Sequence, residues 1–391
     1  MPRPPHAAPT SNGLSDRIYS DLVARAKARG GRVYPLHVGD TYLEPPAMAR
    51  AEAQHVSTTT RLHNYASVQG EPVLLQAIRD HLKRKSTLDI DEKCIQVMSG
   101  GTSGLSVVCN TLLSAGDEVL LPAPFWPLIR GIVASRGATA VEIPFFTRLD
   151  ETDFDVTAAL ETSITERTVA LYINTPNNPT GRVLSPHVID AMLKVAVKHN
   201  LWVLTDEAYE ELRFTDEAPS PVWANPTVRD RVIATHTLSK GYGLAGARVG
   251  FTHGPVEIMA QIRAVQTFNV YCAARPMQLG AARALNDGRG WVDHARALYH
   301  EAGRRSADAL GLPHPEGGTF LFFDTKPYLR EGETSSVPFL LRCLDAGVLL
   351  TPGSASGRDY ERYARLCFTC VPRHELDEAL ACLKAALNAQ L

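Results

Sequence analysis

The chain lacks the signatures of several large protein classes. No uninterrupted apolar run reaches the ~20 residues that a membrane-spanning helix needs, so we expect no membrane partner. Lysine and arginine form no basic stripe, and the formal net charge over 391 residues is −2, so nucleic acid is not an expected partner either. With 45% hydrophobic and 21% charged residues, the composition is that of a globular protein, and the length suggests two or three domains.

Cysteine is also scarce. The seven cysteines are an odd number scattered along the chain, which is typical of free thiols in a reducing compartment and predicts a cytoplasmic protein. Cys367 and Cys370 form a C-x-x-C pair, but residues three apart in a strand point to opposite faces, so we predict no metal site there. The proline-rich start has no apolar core like that of a signal peptide, and residues 1–13 are predicted to be a flexible N-terminal arm.

Short apolar segments alternate with helical segments through the middle of the chain. The short segments are almost continuously apolar, as expected for strands of a mostly parallel sheet that helices cover on both faces. This alternation predicts an α/β domain. Six segments are predicted to be strands: Ile95–Met98, Glu118–Leu121, Val169–Ile173, Trp202–Thr205, Val232–Thr235 and Val249–Thr252.

The pattern changes after about residue 277, where longer helical segments dominate. We therefore predict a large domain over residues 46–276 and a smaller α+β domain formed by residues 14–45 together with 277–391. Four elements are predicted in the second part: a long helix over Gln278–Leu310, a strand over Gly317–Phe323, and helices over Val337–Ala346 and Glu375–Leu387.

The segment from Thr237 to Lys240 combines an amine with two hydroxyls, those of Thr237 and Ser239, and Arg248 follows eight residues later. Apolar surroundings and a nearby cation favour the neutral, nucleophilic form of a lysine. The hydroxyls and the guanidinium suit a phosphate dianion. A carbonyl-capturing lysine beside a phosphate site indicates pyridoxal 5′-phosphate (PLP) held as a Schiff base by Lys240. By itself, the segment is also compatible with an ordinary surface lysine in a glycine-rich loop.

Three loops that follow predicted strands add polar groups at the position where α/β sheets bind ligands. The loop Gly100–Gly104 opens a helix whose N-terminal N–H groups suit a phosphate, although a structural turn would have the same composition. The proline-rich loop around Asn178, with the sequence NNPTG, is rigid and aims an amide at a ligand. Asp206 would keep a pyridine nitrogen protonated, although an aspartate there could instead cap a helix.

Together, these motifs resemble those of the class I/II aminotransferase family, PLP-dependent enzymes of fold type I that include aspartate and aromatic aminotransferases. The resemblance extends from about Val38 to Arg365, with the motifs in the family's order. It implies a large domain with a mostly parallel seven-stranded sheet between helices, plus a smaller α+β domain. The family usually has Ser or Gly where this chain has Thr237, and because threonine keeps a hydroxyl, phosphate binding should survive.

The resemblance also implies roles for residues around the cofactor. Gly101 and Thr102 match residues that hold the phosphate, and they would do so together with the hydroxyls and the guanidinium near Lys240. Asp206 matches the partner of the ring nitrogen. Asn178 and Tyr209 match the residues that bind the cofactor's phenolic oxygen.

Four further positions match family residues at the edges of the site. Trp126 resembles the aromatic residue that stacks on the pyridine ring, and Tyr65 resembles the tyrosine that one subunit lends to its neighbour's phosphate. Arg365 and Gly39, with Asn178, match the residues that bind the α-carboxylate of the substrate. Without the resemblance, a packed core tryptophan, a loop tyrosine and a buried structural arginine are the ordinary alternatives.

The resemblance therefore implies a PLP-dependent aminotransferase. It would move an amino group between an L-amino acid and a 2-oxo acid by a ping-pong mechanism, with Lys240 as Schiff-base lysine and proton shuttle, in a homodimer with shared active sites. Other α-carbon chemistry on the same scaffold stays open: a β-lyase, a cyclising synthase or an amino acid oxidase. A transcription regulator with an aminotransferase-like sensor domain is not expected, because the short arm before Leu14 leaves no room for a helix-turn-helix.

The sequence leaves the substrate's side chain open. A dicarboxylic substrate would need a second arginine, for which Arg275 is a candidate only by its neighbourhood. Tyr42, Trp126 and Phe320 would favour an apolar or aromatic side chain if they line the pocket.

Overall fold

The protein consists of two β-sheets packed between helices. The computed structural model describes residues 9–11, 14, 20–51, 60–215 and 220–388. The predicted arm over residues 1–13 therefore lies outside the described residues, except for Pro9–Ser11, which form a short 3-10 turn. The strands are β1 (Ile95–Met98), β2 (Glu118–Ala123), β3 (Thr139–Pro144), β4 (Thr168–Asn174), β5 (Trp202–Asp206), β6 (Val232–Thr237), β7 (Gly250–His253), β8 (Phe320–Asp324), β9 (Thr351–Pro352) and β10 (Tyr363–Cys367).

The helices occupy the stretches between these strands and both ends of the described chain. None in the described ranges is long and apolar enough to cross a bilayer. The α-helices are α1 (Ser20–Arg29), α2 (Pro72–Ser86), α3 (Gly101–Leu112), α4 (Pro127–Ala134), α5 (Val156–Glu161), α6 (Pro186–Lys198), α7 (Val256–Asn269), α8 (Arg275–Asp287), α9 (Arg289–Leu310), α10 (Val337–Asp345) and α11 (Arg373–Asn388).

The larger sheet has seven strands in the order β1-β7-β6-β5-β4-β2-β3. Strand β7 runs antiparallel to both of its neighbours, and the remaining pairs are parallel. The prediction of a mostly parallel seven-stranded sheet is thus confirmed. Each of the six segments predicted as strands forms a strand of this sheet.

Both faces of this sheet are buried, which explains why its strands are almost continuously apolar. Leu171 and Val203 pack into the core on one face, whereas Ala170 and Leu204 pack into a separate core on the other. Alternating side chains of a strand point to opposite faces, so a strand covered on both sides needs apolar residues at every position.

Strand β3 was not among the six predicted segments. It lies at the edge of the sheet and pairs only with β2. Most of its residues are exposed or half-buried, and it contains Thr139 and Glu142. An edge strand with a partly solvated face has no need of a continuous apolar run, so the pattern that identified the central strands could not identify this one.

The second sheet is small and antiparallel, with the order β8-β10-β9. The N-terminal segment joins it: Tyr34 forms a parallel bridge with Val348, and the backbone N–H of Cys367 donates to the carbonyl oxygen of Leu36. These contacts agree with a small domain built from both ends of the chain. The boundaries of that domain, residues 14–45 with 277–391, stay a prediction.

The prediction of one continuous helix over Gln278–Leu310 is wrong. The chain forms two helices, α8 and α9, which meet at Gly288. The N–H of Gly288 caps α8 by donating to the carbonyl oxygen of Ala284, and a Cβ atom at this position would lie 2.3 Å from that oxygen. A glycine at such a junction ends one helix where the next begins, and the apolar periodicity on either side does not reveal the break.

Helix α3 is held against the sheet by a close contact at Gly104. A Cβ atom there would lie 2.8 Å from Cγ2 of Thr235 on β6 and 2.9 Å from Oγ1 of Thr252 on β7. Only glycine allows this approach. The contact fixes where the N-terminus of α3, at Gly101, sits relative to the carboxyl end of β6.

We therefore expect Gly104→Ala to lower the free energy of unfolding by about 1–3 kcal/mol, because the added methyl group forces α3 away from the sheet. Gly290→Ala is the control, since nothing lies within 4 Å of a Cβ atom at that helical position. Its free energy of unfolding should change by less than about 1 kcal/mol. Urea unfolding measures both, and equal stability of the two variants would contradict this account of the contact.

Candidate active site

A cavity of about 500 Å³ opens at the carboxyl ends of the strands in the large sheet. Strands β4, β5 and β6 end there at Asn174, Asp206 and Thr237, beside the N-terminus of α3. All predicted site residues except Tyr65 line the cavity: Gly39, Gly101, Thr102, Trp126, Asn178, Asp206, Tyr209, Thr237, Ser239, Lys240, Arg248 and Arg365.

Lys240 lies in the turn after β6, with its amine in the cavity. Its Nζ donates a hydrogen bond to the carbonyl oxygen of Gly39 at 2.6 Å and lies 3.3 Å from Oδ1 of Asp40. The lysine therefore connects the end of the large sheet with the N-terminal segment that runs beside the small sheet. Its amine is accessible from the cavity and is surrounded by the other predicted residues.

Hydroxyls and a guanidinium gather at the N-terminus of α3. The hydroxyl oxygens of Thr237 and Ser239 lie 2.8 Å apart, and the backbone N–H of Ser239 donates to Oγ1 of Thr237. A Cβ atom at Gly100 would lie 2.5 Å from Nη2 of Arg248, so only a glycine leaves room for this guanidinium. Together with the free N–H groups of the first helical turn, these groups can bind a phosphate dianion.

The carboxylate of Asp206 is buried at the end of β5. The hydroxyl of Tyr172 donates to its Oδ2 at 2.7 Å, and the backbone N–H of Ala208 donates to its Oδ1 at 3.1 Å. Burial raises the pKa of Asp206, and the hydrogen bonds from Tyr172 and Ala208 oppose this effect. Among the residues that the structure describes, no lysine, arginine or histidine forms an ion pair with this carboxylate.

A chain of hydrogen bonds crosses the cavity from the large sheet to the small one. Nδ2 of Asn178 donates to the hydroxyl oxygen of Tyr209 at 3.3 Å, and Nη1 of Arg365 donates to Oδ1 of Asn178 at 3.1 Å. Burial is the main cause that raises the pKa of Tyr209, while the Arg365 guanidinium opposes it. Asn178 can therefore contact a ligand group bound beside Tyr209 as well as one bound beside Arg365.

Arg365 is a buried cation with donors to spare. It is 4% exposed, its guanidinium carbon lies 4.3 Å from the ring centre of Phe320, and its Nη2 donates to the carbonyl oxygen of His37. Its buried Nε has no hydrogen-bond acceptor among the described residues. A buried guanidinium without a carboxylate partner is suited to bind an anionic ligand.

Two aromatic residues predicted for the site differ in their placement. Trp126 follows β2, precedes the first residue of α4 and lines the cavity. Tyr65 lies outside the cavity, is 85% exposed, and forms an edge-to-face contact with the ring of Tyr271, with ring centres 5.1 Å apart. Within this single chain, Tyr65 is therefore not part of the site.

The structure separates two other candidates from the cavity. The ring of Tyr42 packs edge-on against Tyr299, and Tyr42 does not line the cavity. Arg275 pairs with Glu71 and donates to the carbonyl oxygen of Arg61, so it is not a second arginine in this chain's own cavity.

The C-x-x-C pair does not lie within one strand, contrary to the prediction. Cys367 is the last residue of β10, but Cys370 lies in the turn beyond it, so the alternation of faces in a strand does not relate the two thiols. The thiol of Cys370 donates to the carbonyl oxygens of Pro35 and Cys367, both at 3.5 Å. Both side chains thus have structural contacts where the N-terminal segment meets the small sheet.

Two residues at or beside the site were not predicted from the sequence, Tyr172 and His37. Tyr172 lies two residues before Asn174 on β4. The alternation of side chains in a strand therefore predicts that Tyr172 and Asn174 point to the same face of the sheet. His37 lines the cavity next to Gly39, and burial, together with the nearby Arg365, lowers the pKa of His37 to about 4. Its imidazole is therefore neutral at physiological pH.

Glu207 follows Asp206 but faces another part of the protein. It lines a second cavity of about 1010 Å³, whose wall also contains Glu210, Glu211, Lys85 and other charged residues. Burial, followed by the nearby Glu210 carboxylate, raises the pKa of Glu207 from 4.5 to about 8. The second cavity is larger than the first. However, Lys240, the predicted phosphate-binding residues and Asp206 all line the first.

The raised pKa of Glu207 predicts a pH-dependent stability. Between pH 4.5 and about 8 the folded protein keeps a proton that the unfolded chain has lost, so this glutamate makes the wild type less stable as pH rises. Glu207→Gln cannot ionise, and its free energy of unfolding relative to the wild type should increase from about pH 5 to about pH 8. Exposed Glu331→Gln is the control in urea unfolding. A difference between Glu207→Gln and the wild type that does not vary with pH would contradict the assignment.

Comparison with known proteins agrees with this geometry. The family described as aminotransferase class I and II matches residues 32–383. The aspartate aminotransferase of Musicola paradisiaca (strain Ech703) is 30% identical, with 91% of this chain and 90% of that protein covered. The arginine–pyruvate transaminase of Pseudomonas aeruginosa is 31% identical, with 88% of each chain covered.

The architecture agrees as well. The crystal structure of the aspartate aminotransferase from Rhizobium meliloti superimposes with a TM-score of 0.89 at 25% identity, covering 98% of this chain and 99% of that one. The chain therefore has the architecture called fold type I among PLP-dependent enzymes. The chain belongs to the class I and II aminotransferases, a family of PLP-dependent transferases.

Proposed function

We propose that this aminotransferase binds PLP through Lys240 as a Schiff base and moves an amino group between an L-amino acid and a 2-oxo acid in a ping-pong cycle. The observation that carries the proposal is the convergence of Lys240, Asp206, Arg248 and Arg365 on one cavity. These side chains supply an amine for the aldehyde, an anion for the ring nitrogen, and one cation each for a phosphate and a carboxylate.

The residues of the cavity fit PLP at both ends. Thr237, Ser239 and Arg248, beside the first N–H groups of α3 at Gly101 and Thr102, provide donors for a dianion. At the other end, the buried carboxylate of Asp206 has hydrogen bonds but no cationic partner among the described residues. A protonated pyridine nitrogen would supply the missing charge.

Each residue of this chain then has a defined task. PLP supplies an electron sink for the charge that remains on the amino acid's Cα when its proton leaves. Nζ of Lys240 accepts this proton as a general base and later returns it as a general acid. Asp206 would favour the protonated ring nitrogen, Tyr209 and Asn178 would bind the phenolic oxygen, and Trp126 would lie against the ring.

The substrate's α-carboxylate would bind at Arg365. Nη1 and Nη2 already contact Asn178 and the His37 carbonyl, which fix the plane of the guanidinium. A Cβ atom at Gly39 would lie 3.0 Å from the ring of Phe320 and 3.9 Å from Nη2 of Arg365, so a larger residue would crowd the carboxylate. Val38, Leu128 and Phe320 line the same cavity, which makes apolar and aromatic amino acids the first substrates to screen.

We also propose a homodimer in which Tyr65 reaches the phosphate site of the neighbouring subunit. Tyr65, Phe268 and Tyr271 are 85%, 93% and 45% exposed, although they are large aromatic residues. Exposed apolar groups of this size are typical of interaction surfaces. A tyrosine that is outside its own cavity and largely exposed can extend into another subunit.

The cytoplasm is the proposed location of the enzyme. All seven cysteines belong to the described residues and are free thiols. Free thiols in this number are typical of a reducing compartment.

Lys240→Ala tests the central assignment. We expect this variant to bind PLP without a covalent link and to lose at least about 10⁴-fold in kcat, because both the Schiff base and the proton shuttle are removed. Activity with an amino acid and a 2-oxo acid is measured beside borohydride reduction, which should attach the cofactor to Lys240 in the wild type. The control is Lys384→Ala, an exposed lysine on α11.

Near-normal turnover of Lys240→Ala, or reduction that attaches the cofactor to another lysine, would show that the assignment is wrong. The same assay distinguishes transamination from other fates of the substrate. With an amino acid but no 2-oxo acid, an aminotransferase stops after one half-reaction per site, whereas a lyase or an oxidase continues.

Mixing Tyr65→Ala and Lys240→Ala, both of which we expect to be inactive alone, tests the shared site. In a heterodimer of Tyr65→Ala and Lys240→Ala, one site has both defects and the other has neither if Tyr65 acts on the neighbouring subunit. Random reassembly should then restore roughly a quarter of wild-type activity, because about half of the dimers are mixed and each has one intact site. If Tyr65 acts within its own subunit or not at all, the mixture will show no more than the average activity of its parents.

A further inference from the structure

We infer that Tyr172 is a positioning residue that keeps the carboxylate of Asp206 ionised and aimed at the ring nitrogen of PLP. The inference rests on the proposed function, because it assumes the cofactor and the partnership with Asp206. It assigns a task to a side chain that neither touches the substrate nor lines the cavity. Tyr172 would act on the reaction only through Asp206.

The strand register brings the two side chains together. On neighbouring parallel strands, Asn174 of β4 is paired with Asp206 of β5, and Tyr172 is paired with Leu204. Residues two apart share a face, so Tyr172 and Asp206 lie diagonally on the same face of the sheet. The tyrosine ring bridges this diagonal, and its hydroxyl donates to Oδ2 at 2.7 Å.

The hydrogen bond has no substitute in the described part of the chain. Both side chains are buried, at 2% exposure for Tyr172 and 8% for Asp206, so few other donors can replace a lost one. The N–H of Ala208 occupies the other oxygen, Oδ1. Tyr172 is the one described side chain that donates to this carboxylate, and a buried anion depends on such donors.

A phenol is better suited to this position than a cation would be. An arginine or lysine at the same distance would stabilise the carboxylate, but its charge would also repel a protonated pyridine nitrogen. The neutral hydroxyl stabilises the anion and adds no positive charge, which leaves the ring nitrogen as the cation that pairs with Asp206. The other titratable side chains near this pair are Tyr209 and Cys109, both neutral when protonated, and the buried Glu207, whose pKa is raised chiefly by burial and in part by the Asp206 carboxylate.

Without the hydroxyl, the proton shared between carboxylate and ring nitrogen should move toward the carboxylate. Burial already raises the pKa of Asp206, and the hydrogen bond from Tyr172 opposes that rise. A neutral ring is a weaker electron sink, so proton removal from Cα should slow. Binding of the substrate's carboxylate at Arg365 involves other groups and should change little.

Tyr172→Phe in the holoenzyme is the test, with Tyr34→Phe as a matched control. Tyr34 also donates to a carboxylate oxygen at 2.7 Å, that of Glu378, but lies beside the small sheet. For Tyr172→Phe we expect kcat to fall about 10- to 100-fold, KM to stay within about twofold, and PLP to bind about tenfold more weakly. The ring nitrogen of ¹⁵N-labelled PLP, followed by solid-state NMR, should shift toward its neutral form. Tyr34→Phe should leave all four quantities unchanged.

An unchanged ¹⁵N shift in Tyr172→Phe overturns the inference even if kcat falls, because a purely structural defect would not involve the ring nitrogen. If Tyr172→Phe does not fold, 3-fluorotyrosine at position 172 replaces it as the test. Its more acidic hydroxyl is a stronger donor and makes the carboxylate less basic, so the ¹⁵N shift should move further toward the protonated form of the ring nitrogen than in the wild type, and no such change would refute the inference. Failure of the wild type itself to bind PLP would instead refute the proposed function.

Discussion

The arrangement of the site depends on one buried anion, the carboxylate of Asp206 at the end of β5. Burying a carboxylate is costly unless hydrogen bonds or a cation compensate for the lost hydration. This chain provides the hydrogen bonds, from Tyr172 and the backbone of Ala208, and among its described residues it provides no cation. The negative charge of Asp206 is therefore left without a cation. This is the strongest indication of the ligand that the cavity binds, because a protonated heterocycle would form an ion pair with this carboxylate.

The other groups are brought to this carboxylate by the sheet. Parallel strands β4, β5 and β6 end at the same edge, so their last residues and the loops that follow contribute Asn178, Asp206 and Lys240 to one cavity. The close contact at Gly104 then sets the N-terminus of α3 beside Thr237. A phosphate-binding end and an anionic end are thus held on one rigid frame, which is what a bound cofactor of fixed length requires.

Much of this could be predicted from the sequence because the motif residues directly follow apolar strands. A residue at the end of a parallel strand is localised in space by the strand itself, and Asp206 and Lys240 do line one cavity. Features that depend on pairing between segments distant in the sequence could not be predicted from the sequence. The contact of Tyr172 requires the register of β4 against β5, and the break at Gly288 requires backbone geometry that apolar periodicity does not report.

The substrate end of the cavity depends on a different part of the chain. Arg365 belongs to β10 of the small sheet, yet it donates to Asn178 in the loop after β4 of the large sheet. The N-terminal segment contributes the His37 carbonyl and Gly39 to the same corner. A carboxylate bound there would add contacts to a junction of three chain segments, so the free energy of substrate binding and the relative position of the two sheets are linked. Asn178 is the residue through which this link reaches the proposed cofactor, since its amide also donates to Tyr209.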